Sequence, residues 1–197
     1  STPFKVSRSK IELFKQCQDL IYGISVRQDG PMKVRATGNT EEDVRMGENR
    51  KNFFRKIKIT SDRVVSAGLA HGVGIARLDT KEERRVISGV DGLVTDAADF
   101  LISVTVADCF PVYLFDTRVL AVGIVHAGWR GVVAGIVKNA VEAMRSSFGS
   151  DAKELFAGIG PGIRACHFEV GSEVGERFGK WPQALEARNG KMYVDLP

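Results

Sequence analysis

Apolar residues form three short runs in the middle of the chain, and each run has the length and β-branched content of a buried strand. The runs cover residues 101–106, 111–115 and 119–125, with a turn predicted at Asp116-Thr117-Arg118. Two of them lead into reactive side chains, because Cys109 follows the first run and His126 follows the third. The pattern predicts a sheet that presents a thiol and an imidazole at strand ends.

A helical spacing begins after Gly131. Apolar residues there recur at i, i+3, i+4, i+7, i+8 and i+11, which is one face of a helix: Val133, Ile136, Val137, Ala140, Val141 and Met144. We predict a single helix that contains Gly135, at a cost of about 1 kcal/mol relative to alanine. Gly149 is its predicted end.

The remaining patterns predict a mixed α/β chain. Further helices are predicted over 10–22, 41–55 and 173–178, and further strands in two runs within 57–69, over 86–95 and over 155–159. A polar, turn-rich segment covers 28–43. No repeat, low-complexity tract or linker interrupts the chain, and 197 residues suit one domain with its own core.

Composition narrows the class of protein. An apolar content of 44% and a charged content of 26% are ordinary for a globular protein. No apolar run would span a bilayer and the N-terminus has no signal pattern, so we expect a cytoplasmic protein that binds no membrane. Three cysteines, an odd number, favour reduced thiols over a disulfide framework. The net charge of +4 lies in clusters without interleaved aromatic residues, so no nucleic-acid partner is expected.

His71, Cys109 and His126 each stand at the end of a strand-like run, beside glycine or proline. Thirty-seven residues separate the first two and sixteen the last two, which excludes a zinc finger with closely paired ligands. Two imidazoles and a thiolate suit Zn²⁺, and three protein ligands leave a fourth position for water or substrate. Such an ion lowers the pKa of its bound water towards about 7.

The residues alone leave other interpretations open. Cys109 and His126 also suit a metal-free nucleophile and base pair, and the same donors ligate copper. Each residue by itself is as often a packed or hydrogen-bonded core group. Asp108 is a candidate general acid or base, or a partner that orients a ligand imidazole. Arg130 precedes a predicted helix and would hold an anionic oxygen there, or else form a salt bridge at the helix entry.

Several longer motifs carry a resemblance. They are Asp91-Gly92-Leu93-Val94-Thr95, Ala107-Asp108-Cys109-Phe110-Pro111, His126-Ala127-Gly128-Trp129-Arg130-Gly131 and Gly160-Pro161-Gly162-Ile163. Over about residues 23–194 they resemble the YfiH family, also called the laccase-domain or multicopper polyphenol oxidase family. The resemblance implies an α/β (α+β) single domain with a mixed β-sandwich core flanked by helices, similar to the catalytic domain of cytotoxic necrotising factors. It also implies a zinc site at His71, Cys109 and His126.

The activity that the resemblance implies is zinc-dependent processing of purine nucleosides. Family members are described as cleaving adenosine, inosine, guanosine and methylthioadenosine with phosphate, and as deaminating adenosine. We expect a purine nucleoside and phosphate as partners, with Arg50 and Arg130 as candidate phosphate ligands. Attack of zinc-bound hydroxide on C6 of adenine suits the predicted ligand set. Monomer and homodimer both remain open.

Three alternatives stand beside this expectation. The older family label implies a copper-dependent polyphenol oxidase (laccase) with Cu²⁺, although three histidines cannot build several copper sites. The others are a metal-free Cys-His hydrolase and a non-catalytic partner-binding protein. The family usually has Gln two positions before the first histidine, where Leu69 stands here. We expect residues 1–197 to form one domain of this type that lacks the family's arginine-rich C-terminal segment.

Overall fold

The computed structural model describes residues 14, 17, 20–33, 40–60, 63–98 and 100–196. The helix predicted over 10–22 lies for the most part outside these residues, as does the middle of the polar segment over 28–43.

Four α-helices and eleven strands make up the described fold. The helices are α1 (Glu41–Lys56), α2 (Trp129–Ala134), α3 (Ile136–Phe148) and α4 (Ser172–Gly175), and 3₁₀ helices cover Arg27–Asp29, Glu176–Phe178 and Pro182–Ala184. The strands are β1 (Val64–Gly68), β2 (Ile75–Leu78), β3 (Val86–Ser88), β4 (Gly92–Thr95), β5 (Leu101–Ser103), β6 (Phe110–Asp116), β7 (Ala121–Ala127), β8 (Leu155–Ile159), β9 (Glu169–Val170), β10 (Leu185–Arg188) and β11 (Lys191–Val194). No helix in the described ranges combines the length and the apolarity that crossing a bilayer requires.

The strands form three sheets. The largest has the order β2-β4-β7-β6-β8, in which β2 and β4 are parallel and the other pairs are antiparallel. A second sheet, β3-β1-β5, is parallel throughout, and the third, β10-β11-β9, is antiparallel.

The five-stranded sheet and the parallel three-stranded sheet pack face to face, and helices cover the far side. Side chains on alternate positions of β7 show this, because successive residues of a strand point to opposite faces. Ile124 packs with Val65 and Ala67 of the parallel sheet, whereas Val125 packs with Ile136 of α3. The predicted α/β domain with a mixed β-sandwich core and flanking helices is therefore confirmed.

Helix α1 begins and ends as its sequence predicts. Thr40 caps it, since the Thr40 hydroxyl accepts a hydrogen bond from the Asp43 backbone N–H while the Asp43 carboxylate accepts one from the Thr40 N–H. Acidic residues occupy its first turn and basic residues its last, which complements the helix dipole. Its buried side chains are Met46, Phe53 and Phe54, and the two phenylalanines pack with Val64 of β1.

The prediction of a single helix after Gly131 is wrong in two respects, because the helical segment already begins at Trp129 and is divided in two. Gly135 ends α2 and begins α3, with a φ of 85° that alanine adopts only with strain. The predicted apolar face is nevertheless the buried one, because Ile136, Ala140 and Met144 are fully buried. Gly149 ends α3, as predicted.

Strand boundaries differ from the predictions where turns intervene. The segment 57–69 contains one strand and not two, and 86–95 divides into β3 and β4, which belong to different sheets. Val119 and Leu120 lie in the turn before β7, where Leu120 has a φ of 55°. The strand over 155–159 is confirmed as β8.

Candidate active site

His126 is fixed by the sheet that carries it. It is the second-last residue of β7 and projects to the same face as Ile124, towards the parallel sheet. The ring is buried, and its Nδ1 lies 2.9 Å from Asp91 Oδ1. A carboxylate only accepts hydrogen bonds, so Nδ1 carries the hydrogen and Nε2 keeps its lone pair.

His71 contacts His126 from the parallel sheet. It lies in the loop that follows β1, with a φ of 57° that is uncommon for any residue but glycine. Its ring meets the ring of His126 edge to face, with centroids 5.0 Å apart and an interplanar angle of 82°. The imidazoles therefore come together from strands of different sheets.

Cys109 completes this cluster. It immediately precedes β6, whose Pro111 pairs with His126 across the sheet. A Cβ added to Gly128 would lie 3.1 Å from Cys109 Sγ and 3.3 Å from His126 Cε1. The space left by the missing side chain of Gly128 thus separates the thiol from the imidazole.

Asp91 is the buried residue that the sequence reasoning missed as part of the site. Its carboxylate is fully buried and accepts hydrogen bonds from the backbone N–H groups of Ala70, His71 and Gly72, at 3.2, 2.9 and 2.8 Å, besides that from His126. The available signal was an aspartate placed directly before an apolar strand, because a buried acid needs several hydrogen-bond partners.

The charge states in the cluster follow from this burial. Burial by itself raises the pKa of Asp91, but the N–H of Gly72, the His126 ring and the N–H groups of His71 and Ala70 outweigh it, and the pKa is lowered. Burial lowers the pKa of His126 against the opposing pull of Asp91, so the ring is neutral at neutral pH. Burial, followed by the charges of Asp108 and Asp91, raises the pKa of the Cys109 thiol.

The donor set fits a zinc ion in its chemistry. Two imidazoles and a thiol are zinc ligands, and the bond to Asp91 leaves His126 Nε2 free to bind. Gly128 supplies room beside Sγ and the ring. In the described ranges no group of three or more His, Cys, Asp or Glu side chains is arranged to hold a metal ion. The fit is therefore one of donor chemistry and not of geometry.

Asp108 and Arg130 flank the cluster. The strand preceding Asp108 ends at Ser103, so Asp108 is not held to the alternation of a strand, and its side chain is exposed. Arg130 is the second residue of α2, is exposed, and has its guanidinium 4.4 Å from the centre of the Trp129 ring. The salt bridge considered for Arg130 is not found within the described part of the chain.

Arg50 lies in a different environment. Its Nη2 donates to Ser66 Oγ at 2.7 Å and to Ser103 Oγ at 3.4 Å, and its Nη1 donates to the carbonyl of Met32 at 3.4 Å. The Phe54 ring packs against it at 5.3 Å. Burial lowers the pKa of this arginine. Among the described residues no carboxylate pairs with it, so a cation sits beside two hydroxyl groups without a counter-charge.

A cavity of about 1390 Å³ lies beside the cluster, and Arg50, Ser103, Tyr113 and Asp108 are among the residues that line it. His71, Cys109, His126 and Arg130 are not among them. Pro111 lines the cavity and is the register partner of His126, so the cavity approaches the cluster without including its side chains. Its volume exceeds the range of about 300–1,000 Å³ that is usual for small-molecule sites.

Gly131 explains why α2 lies so close to the His71 loop. A Cβ at Gly131 would stand 2.9 Å from the carbonyl oxygen of Gly72, which is closer than side chains tolerate. The segment His126–Gly131 thus supplies a histidine, the space beside Cys109 and the contact with the loop of His71. Cys166 and His167 are exposed in a turn, with Cys166 Sγ 3.0 Å from His167 Nδ1.

Fold and cluster together define a class: an α/β sandwich protein with a cysteine and two histidines near strand ends of the five-stranded sheet and of the parallel sheet. A family profile described as multi-copper polyphenol oxidoreductase laccase matches residues 29–197, and the chain belongs to that family.

Known proteins resemble the chain over much of its length. A purine nucleoside phosphorylase of Bacteroides thetaiotaomicron is 39% identical over 132 residues, which are 63% of this chain and 49% of that protein. Adenosine deaminase RL5, from an unknown prokaryotic organism, is 34% identical over 169 residues, 79% of this chain and 64% of that protein. The crystal structure of Bacillus licheniformis hypothetical protein YfiH superposes with a TM-score of 0.72 at 28% identity, over 78% of this chain and 62% of that one. The chain therefore spans about half to two thirds of the length of these relatives.

Proposed function

We propose that this chain carries the catalytic centre of a zinc-dependent enzyme that processes purine nucleosides, with His71, Cys109 and His126 as the metal ligands. The observation that carries the proposal is the contact of the His71 ring with the His126 ring, with His126 oriented by Asp91 and with Cys109 Sγ and the His126 ring both next to Gly128. The names of the relatives, purine nucleoside phosphorylase and adenosine deaminase, support the substrate class. Phosphorolysis of adenosine, inosine, guanosine and methylthioadenosine and deamination of adenosine are the proposed reactions.

A zinc ion, when bound, would supply a hydroxide at neutral pH and a positive charge next to the reacting atoms. The residues around it divide the remaining work. Asp91 keeps the hydrogen of His126 on Nδ1, so that Nε2 would be available to hold the ion. Asp108, exposed in the cavity beside Cys109, would move a proton to or from the purine ring or the leaving ammonia.

Phosphate needs cationic partners, and two arginines without a carboxylate partner in the described ranges are available. Arg130 is exposed at the start of α2, close to the cluster in sequence. Arg50 lies in the cavity wall, held by Ser66 and Ser103. We propose that phosphate binds one of them and that the nucleoside occupies the cavity between Asp108 and Arg50.

A metal-free cysteine hydrolase is the second candidate, because one observation favours it. Asp91, His126 and Cys109 follow one another as the orienting acid, base and nucleophile of a catalytic triad. Burial raises the pKa of Cys109, which keeps the sulfur protonated and weakens this candidate. Copper-dependent phenol oxidation has less support, since the cluster holds two histidines and oxidases of that kind need several copper sites.

The test combines metal analysis with product analysis on the 197-residue chain. Purified protein is loaded with Zn²⁺ or Cu²⁺ and incubated with adenosine, with and without phosphate, and adenine and inosine are separated by chromatography. We expect inosine in both reactions, adenine only with phosphate, and loss of both products after chelation. A folded, zinc-loaded sample that forms neither product contradicts the proposal. Turnover that resists chelation and is abolished by Cys109→Ser would favour the cysteine hydrolase.

A further inference from the structure

Asp91 contacts both histidine-bearing segments at once. Its Oδ1 accepts hydrogen bonds from the His71 backbone N–H and from His126 Nδ1, each at 2.9 Å. Its Oδ2 accepts from the N–H groups of Ala70 and Gly72. The Asp91 carbonyl also accepts from the His126 N–H at 2.7 Å, so backbone and side chain both hold β7 to this point.

The contact with His126 decides which ring nitrogen carries the hydrogen. A neutral imidazole has one N–H, and a buried carboxylate stabilises the form that donates to it. Nδ1 is therefore the donor, and Nε2 presents a lone pair. The loss of the acceptor, or a hydrogen-bond donor in its place, would remove that bias.

The contact with the loop holds His71 in an unfavourable conformation. Its φ of 57° lies in the left-handed region, which a non-glycine residue adopts only with strain. Three consecutive N–H groups, of Ala70, His71 and Gly72, point at one carboxylate and offset that cost. The position of the His71 ring against His126 thus depends on the same carboxylate as the tautomer of His126.

We infer that Asp91 is a positioning residue that sets the tautomer of His126 and places His71, so that both imidazoles are prepared for one ion before it arrives. The part that concerns the ion rests on the proposed function. The part that concerns the tautomer is a property of the metal-free protein, and the two parts are measured separately.

Asp116 offers a matched control. It too is a fully buried carboxylate that accepts a backbone N–H, from Arg118 at 2.9 Å, and it lies at the far end of β6 from Cys109. Neutralising Asp116 therefore reproduces the loss of a buried, hydrogen-bonded carboxylate without touching a histidine.

The first measurement reads the tautomer by long-range ¹H–¹⁵N NMR of histidine-labelled apoprotein. In the wild type and in Asp116→Asn, we expect Nδ1 of His126 to be protonated and Nε2 to be unprotonated. In Asp91→Asn we expect the amide oxygen to take the place of Oδ2, because it then accepts from the N–H groups of both Ala70 and Gly72. The NH₂ group of the introduced side chain then faces Nδ1 of His126, so the ring hydrogen moves to Nε2. The tautomer is also measured in Asp91→Ser, so that the test can be made if only one of the two variants folds. A folded variant of either kind that keeps the hydrogen wholly on Nδ1 overturns the inference.

The second measurement is the zinc affinity of the same proteins, by competition with a chromophoric chelator. We expect Asp91→Asn to bind Zn²⁺ about 10- to 100-fold more weakly than the wild type, and Asp116→Asn to bind it equally well. Equal affinity in Asp91→Asn and the wild type overturns the positioning role towards the ion. A wild type that binds no zinc contradicts the proposed function, while the tautomer result stands or falls by itself.

Discussion

At the scale of single residues, Gly128 sets how closely Cys109 and His126 approach. We expect Gly128→Ala to lower zinc affinity and nucleoside turnover by about tenfold, because the new Cβ would lie 3.1 Å from Sγ and 3.3 Å from the ring. The φ of Gly128 is −77°, so the backbone tolerates alanine and the protein should fold. Chelator competition and product chromatography measure the two effects.

Gly47 gives the control for that substitution. It lies inside α1, where an added Cβ meets no atom of the described residues within 4 Å. Gly47→Ala should raise the free energy of unfolding by about 0.5–1 kcal/mol through helix propensity and leave zinc affinity unchanged. If Gly128→Ala also leaves affinity unchanged, the space beside Cys109 is not where the ion binds.

The two candidate phosphate ligands, Arg50 and Arg130, are distinguished by the stability of their alanine variants as well as by the activity of those variants. Arg50→Ala removes a buried guanidinium with two hydroxyl partners, so we expect a lower melting temperature whether or not phosphate binds there. Arg130 is exposed, and Arg130→Ala should leave the melting temperature unchanged. The variant that loses phosphorolysis by about tenfold or more while adenosine deamination persists identifies the phosphate site. Loss of deamination to the same extent in both variants would contradict a phosphate-specific role.

Residue types predicted part of the site because their chemistry is rare in this chain. Only three histidines and three cysteines are present, and strand ends singled out His71, Cys109 and His126. The structure places His71 against His126, and places Cys109 and His126 on either side of Gly128, while their role as ligands stays a prediction. Asp91 was not predicted as a site residue because aspartates are common. Its role depends on hydrogen bonds from three N–H groups of a loop about 20 residues away. Long-range hydrogen bonding of this kind leaves no periodic pattern in a sequence.

At the scale of secondary-structure elements, Gly135 makes two helices out of one apolar pattern. Gly135→Ala should lower the free energy of unfolding by about 1–2 kcal/mol, because alanine pays for a φ of 85° while no described atom lies within 4 Å of its Cβ. Urea denaturation measures the change, and Gly47→Ala, with the opposite expected sign, is the reference. An unchanged or increased stability would show that α2 and α3 merge into a continuous helix.

Periodicity predicted the buried faces of the elements better than the residues at which the elements end. The apolar spacing after Gly131 gave the buried face of α3, but a glycine that tolerates either sign of φ conceals where a helix breaks. The short strands β2, β10 and β11, each of four residues, were not predicted. Their strand character depends on partners, since β2 pairs with β4 and β10 pairs with β11. So short a run carries too little alternation to be recognised alone.

At the scale of the whole molecule, buried carboxylates make stability depend on pH. Burial raises the pKa of Asp116, but hydrogen bonds led by the N–H of Arg118 outweigh it, so the folded pKa lies below the unfolded one, as it does for Asp91. A lowered folded pKa means that the stabilisation is complete above the unfolded value, about 4, and is lost as pH falls through the folded value. The free energy of unfolding should therefore decrease below about pH 4.

The control for this pH dependence is Asp116→Asn, which removes one titrating group. Its free energy of unfolding should be lower than that of the wild type at pH 7 and should change less between pH 7 and pH 3. Denaturant titrations at several pH values give both quantities. A variant with the full acid dependence of the wild type would show that Asp116 contributes none of it.

The fold as a whole was predicted from motifs and not from periodicity. Strand and helix patterns indicated a mixed α/β domain, whereas the arrangement of two sheets face to face came from the resemblance of the segments around Cys109 and His126 to a known family. The order β2-β4-β7-β6-β8 interleaves strands distant in the chain, and local patterns contain no information on such pairing.

The two imidazoles of the cluster belong to opposite sheets of the sandwich, because His71 lies in the loop after β1 and His126 lies in β7. A cation bound by both imidazoles would hold the two sheets together, and its removal would let them separate at that edge. Amide protons of β1 should then exchange with deuterium faster in chelated protein than in zinc-loaded protein, while those of α3, anchored on the opposite side, should change little.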